Sequence, residues 1–224
     1  TRFKCDWSSD VCSSDLHGRH LRELAHGAGL KLSIEPYDMN PADDMALGEA
    51  ADVPMCEFWN GTFDTRFAVK EAASIAHVHG QTVVGAEAFT AGSQDAWKEH
   101  PATVKWLGDW AISEGVNRMV IHRFVHQPFP QIRPGLTLGP HGLHADRTQT
   151  WWELSKPWHT YLARCQHLMR QGHSVADLLY LSPEGAPNVF QRPRREPVGY
   201  KYDACTPAAL RTLASVRDGR IVFP

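Results

Sequence analysis

Four side chains that do chemistry stand near the ends of strand-like runs: Glu35 in Leu30–Tyr37, Glu57 in Asp52–Trp59, Glu87 in Thr82–Thr90 and His122 in Arg118–Phe124. Carboxylates gathered in this way suggest acid–base work, and glycoside hydrolysis is the commonest use of such a pair. Inverting hydrolysis needs one carboxylic acid to protonate the leaving oxygen. A second carboxylate, about 6.5–9.5 Å away, activates water on the opposite face. Glu87 is the choice for that base. It closes an apolar, β-branched run in which a carboxylate has little reason to stand unless it faces an open mouth. The bland alternative is a glutamate salt-bridged at a rim.

Glu57 is the second carboxylate, with Phe58 and Trp59 beside it as an apolar wall for a sugar; it otherwise orients a neighbour. Glu35, before Pro36 and Tyr37, is placed to hydrogen-bond sugar hydroxyls or to serve as a structural rim residue. Asp43 and Asp44 read as solvated loop charges or a helix cap. His122 and His126 flank Arg123, and imidazole and guanidinium both suit hydroxyl-rich ligands. No third ligand follows at a zinc interval. Trp151 and Trp152, with Trp158 and Tyr161 at helical spacing, read mainly as core, and Trp151 is taken as the one that lines a site. His141 and His144 read as exposed loop residues. There is no G-x-S-x-G elbow and no glycine-rich phosphate motif.

These residues need a frame. Strand-like runs alternate with helical patterns over His17–Gly27, Phe67–His79, Pro101–Glu114 and Trp151–Gln171, each closed by glycine. Polar residues at strand ends in such an alternation are how a (β/α)8 barrel builds an active site. The expected class is therefore α/β, a partial (β/α)8 TIM barrel holding its later strands, followed by the start of a second domain. Residues 17–173 form the barrel part and residues 174–224 open an accessory domain. The Pro-, Gly- and His-rich stretch 125–150 is too long for an idle connection and is expected to be functional or disordered.

Residues Asp6–Leu16 (DWSSDVCSSDL) resemble a translated sequencing adapter, so residues 1–16 are expected to be artefactual or disordered. Asp218–Pro224 reads as a turn and a strand with nothing to pair against. Both ends suggest a gene fragment, inactive alone and poorly soluble through its open sheet edges.

The totals exclude several classes. The 224 residues are 42% apolar and 21% charged, with a formal net charge of −2, which favours neither nucleic acid nor an anionic membrane as partner. No apolar run approaches the roughly 18 residues of a membrane span. Five cysteines without a CxxC pair argue against both a zinc site and a disulfide framework.

Seven segments occur together and in order: PMCEFW (54–59), VKEAA (69–73), AEAFT (86–90), HPAT (100–103), EGVNR (114–118), HRFVHQ (122–127) and DRTQTWW (146–152). In this combination the chain resembles glycoside hydrolase family 106, the α-L-rhamnosidases, over roughly residues 17–224. The resemblance implies a (β/α)8 catalytic domain followed by β-rich accessory domains, and an inverting mechanism with two glutamates. It implies a secreted or periplasmic enzyme acting on a rhamnose-containing oligo- or polysaccharide, with a calcium ion on the sugar hydroxyls. It makes Glu87 the base and Glu57 a calcium or sugar ligand, and it puts the general acid upstream. Rival readings are a retaining β-glycosidase using Glu57 and Glu87 at about 5–5.5 Å, a metal-dependent amidohydrolase barrel, and a non-catalytic sugar-binding barrel.

Overall fold

The computed structural model describes residues 10–38, 42–61, 63–139, 141–196 and 198–224. Four strands form one parallel sheet in the order β1 (Ser33–Ile34), β2 (Val53–Asn60), β3 (Gly85–Ala91) and β4 (Arg118–Ile121). Helix α1 (Asp10–Gly27) precedes β1, and the short α2 (Asp44–Gly48) lies between β1 and β2. Helices α3 (Arg66–Val78) and α4 (Pro101–Ser113) make the crossovers to β3 and β4, and α5 (Lys156–Met169) follows β4. The α/β class and the alternation are thus present, as an open sheet.

The alternation of side chains along each strand gives the sheet two unlike faces. Cys56, Phe58, Ala86 and Ala88 point to one side and pack on Val69, Ala72, Ala73, Val104, Leu107 and Ala111 of α3 and α4. Alanines on α3 let the helix settle close to the strands. Gly108 does the same on α4, where a Cβ would lie 3.0 Å from the Phe89 ring. The other face carries Glu57, Glu87 and, in register with them, Val120. Val120 is 50% exposed. A parallel sheet is ordinarily covered on both faces; among the described residues no helix covers this one.

Residues beyond α5 dock on α3. Strands β5 (Leu178–Leu181) and β6 (Tyr202–Cys205) pair in parallel. Ser74 Oγ accepts from Ala204 N–H and donates to Asp203, His77 contacts the same carboxylate, and Lys70 donates to Tyr202 O while pairing with Glu114. After α6 (Pro207–Leu213), β7 (Ser215–Arg217) pairs antiparallel with β8 (Arg220–Val222).

Several local expectations change. The terminal strand has a partner after all: Asp218 and Gly219 both adopt positive φ and close a tight hairpin onto β7. Helix α1 begins at Asp10, inside the adapter-like stretch, whose earlier part lies outside the described residues. The helix expected from Trp151 starts at Lys156, after a 3-10 turn over Trp152–Leu154 and with a proline in its first turn. The described residues of stretch 125–150 form no helix or strand but are not loose: Leu143 and Ala145 are buried, and Leu143 N–H bonds His122 O. Cys56, Cys165 and Cys205 are free thiols. No described helix is long and apolar enough to cross a membrane.

Candidate active site

Register brings Glu57 and Glu87 together. They are direct partners across β2 and β3, so both carboxyl groups leave the uncovered face side by side. Immediately beyond them the pairing slips: Phe58 faces Ala88, but Trp59 faces Thr90. Phe89 is the extra residue, at φ 66°, a left-handed conformation that a bulky side chain rarely adopts. Its ring drops to the helix side, 5.1 Å from Phe58 and 5.4 Å from Trp158. The bulge re-aims Thr90, whose hydroxyl donates to Glu87 Oε1 at 2.5 Å.

The carboxyl groups form a strained electrostatic set. Burial pushes the Glu57 pKa up, and the charge of Glu87 adds to this. Tyr37 and Trp59, as donors toward Glu57, oppose the shift, although the buried Trp59 Nε1 makes no hydrogen bond of ordinary geometry. Burial, then the hydrogen bond to Glu57, pushes the Tyr37 phenol up in turn. Glu35 is raised to about 7, first by burial and then by the charges of Glu87 and Glu57. Among the described residues no ion pair to Lys, Arg or His involves Glu35, Glu57 or Glu87.

Aromatic and imidazole groups wall the set. The Trp59 ring meets Phe63 at 5.2 Å and His141 at 5.8 Å, both edge-on. His122 follows β4, its N–H bonded to Ala88 O. Burial lowers its pKa and the nearby Glu87 charge partly restores it. Gly142, at φ 101°, fits only as glycine: a Cβ there would lie 2.8 Å from His122 Nδ1 and 2.9 Å from His122 O.

The sequence candidates thus divide. Glu35, Glu57, Glu87, Trp59 and His122 converge. His126 is exposed. Trp151 is turned to packing: its Nε1 donates to Glu99 O at 2.9 Å and its ring meets Trp158 at 6.3 Å. His144, expected to be exposed, is only 2% exposed and stacks on Trp97 at 4.1 Å. Asp43 caps α2 through Ala46 N–H, but Asp44 is fully buried rather than a solvated loop charge. Sequence reading missed Tyr37, Thr90, Phe63 and the contact of His141 with Trp59. Tyr37 was findable, two residues after Glu35 along an extended run. Thr90 was not, because only the bulge turns it to this face.

Calcium takes six to eight oxygen ligands. Among the described residues no group of three or more His, Cys, Asp or Glu side chains could hold a metal ion, and Glu57 by itself offers one carboxylate. These donors do not fit a calcium shell.

Over residues 8–224 the sequence matches the family described as Glyco_hydro_106, alpha-L-rhamnosidase. The chain belongs to glycoside hydrolase family 106. A relative from Formosa agariphila, provisionally named a beta-glucuronidase, is 42% identical over 206 residues, covering 92% of this chain and 17% of its own length. The structure of a rhamnosidase from Novosphingobium sp. PP1Y superposes with a TM-score of 0.85 at 33% identity, over 94% of this chain and 21% of that one. This family 106 chain therefore spans about a fifth or less of the proteins it matches.

Proposed function

We propose that the protein containing this chain hydrolyses terminal α-L-rhamnosides with inversion, and that Glu87 is its general base. The observation that carries this reading is the single open face on which Glu87, Glu57 and Glu35 meet beside the Trp59 wall. Thr90 donates to one oxygen of Glu87 and so orients the carboxylate. The other oxygen is then available to take a proton from water as that water attacks the anomeric carbon. Glu35, with its pKa near 7, holds a proton for part of the time at neutral pH and serves as a donor to a sugar oxygen. His122 and Trp59 line the ring, and a full (β/α)8 barrel is the frame in which these strand ends would be enclosed.

The test is hydrolysis of an aryl α-L-rhamnoside by the whole protein, with the first-formed anomer read by proton NMR. Inverted rhamnose, and a loss of about 10²–10⁴-fold in kcat for Glu87→Gln, are expected. Retained configuration, or full activity in the variant, would overturn the reading.

A further inference from the structure

Beside the carboxylates lies a cleft of about 340 Å³, lined by Asp38, Asp64, Phe67, Val189, Gln191 and Arg192. We infer that it is a subsite for the neighbouring sugar of the chain being cut; the inference rests on the glycosidase reading above and deepens it.

Three observations carry it. The first is position. Asp38 follows Tyr37, and the Phe67 ring packs edge-on against Tyr37 with centroids 6.2 Å apart. Burial and then the neighbouring Glu57 push the Tyr37 phenol up, so that carboxyl group lies on the other side of the ring. One aromatic ring therefore separates the cleft from the carboxylates.

The second is chemistry. One wall offers the carboxylates of Asp38 and Asp64, and the other offers Gln191 and the Arg192 guanidinium. Asp64 pairs with Arg66 and Arg192 with Glu196, at 2.5 and 2.7 Å. A hydroxyl donates to a carboxylate and accepts from an amide or guanidinium with the same oxygen. A polyhydroxylated ring therefore satisfies both walls at once, with Phe67 as its apolar floor, as a carbohydrate site requires.

The third is rigidity. The buried Asp44 Oδ2 accepts from Asp38 N–H at 3.1 Å and from Phe190 N–H at 3.3 Å. One carboxylate thus clamps the backbone of both walls. Asn188 adds a second staple: its N–H donates to Ala42 O, its carbonyl accepts from Asp44 N–H, and its side-chain amide donates to Asp43. A cleft between two loops is normally soft; this one is preformed.

The experiment compares Gln191→Ala combined with Arg192→Met against wild type in the whole protein. Two substrates are used: an α-L-rhamnosyl disaccharide, whose second sugar carries hydroxyls, and a nitrophenyl α-L-rhamnoside, whose leaving group has no hydroxyls. KM for the disaccharide is expected to rise about tenfold, the loss of two hydroxyl contacts, with kcat/KM for the nitrophenyl substrate within about twofold of wild type. No change on the disaccharide, or an equal fall on both substrates, would overturn the subsite. Calorimetric titration of the disaccharide into Glu87→Gln, with and without the two cleft substitutions, separates this from failure of the catalytic assignment. Binding that weakens with the cleft substitutions supports the subsite whatever reaction follows, and binding that is unchanged overturns it.

Discussion

Two acidic clusters lie within this chain, and they are built from the same side chains for opposite ends. Glu35, Glu57 and Glu87 meet on the uncovered face of the sheet. Asp43, Asp44 and Glu71 meet where α2 packs against α3. Burial raises the pKa of Glu35 and Glu57 in the first and of Asp43, Asp44 and Glu71 in the second. What differs is access. Glu71 is fully buried, and neither of its carboxyl oxygens has a hydrogen-bond partner; Asp43 and Asp44, whose charges push it further up, are tied to backbone N–H groups. Glu87 has a hydroxyl on one oxygen and is only half-buried. A perturbed carboxyl group marks a functional candidate only where a substrate can reach it.

The contrast predicts unequal responses to the same substitution. Glu87→Gln is expected to abolish nearly all turnover, about 10²–10⁴-fold, while Glu71→Gln leaves kcat within about twofold. Steady-state kinetics on the aryl rhamnoside decide it, and equal losses would erase the distinction between the clusters.

The next effect is on pH. Glu35 titrates at about 7, so a limb in kcat/KM centred near pH 7 is expected in the wild type and absent in Glu35→Gln. A limb that persists in the variant assigns it to another group.

Glu71 is expected to show itself in stability instead. Its native pKa is raised far above the unfolded carboxylate value of about 4.3. Its contribution is complete below that unfolded value and is lost as pH rises through the native pKa. Glu71→Gln carries no titrating group, so its Tm is expected to exceed that of the wild type by about 2–4 °C at the alkaline end and to converge toward it in acid. A constant offset across pH would show that Glu71 finds a partner when charged.

The smallest effect tests the bulge. Thr90→Val keeps the shape and removes one hydrogen bond to Glu87, which corresponds to about 0.5–1.5 kcal/mol, or roughly a two- to tenfold loss in kcat. An unchanged kcat would show that Glu87 needs no help from the residue re-aimed by Phe89.

Much of the frame was legible in the sequence because it is written at short range. The β-branched run before Glu87, the alanine pattern of α3, the proline and glycine bounding α4 and the carboxylates at strand ends all follow from neighbours within a few positions. The ordered segments from PMCEFW to DRTQTWW were enough to point to the family. The misreadings share one cause. Asp44 looked solvated because nothing local announces that Asp38 and Phe190, the latter 146 residues away, bring their N–H groups to it. His144 looked exposed because its partner Trp97 lies far back in the chain. The terminal strand looked unpaired because β7 is three residues long and carries no strong strand pattern.

By itself, then, the sequence determined the element types, the chemistry on offer and the family, since propensity, periodicity and motif order are properties of adjacent residues. Only the tertiary structure decided which carboxyl groups meet. Glu57 lies beside Glu87, and Thr90 serves Glu87, because two strands separated by a whole helix pair in one register and slip it at Phe89. The same packing that leaves this face open seals Glu71 behind α2, so the low-dielectric surroundings that tune one cluster for chemistry hold the other as part of the core.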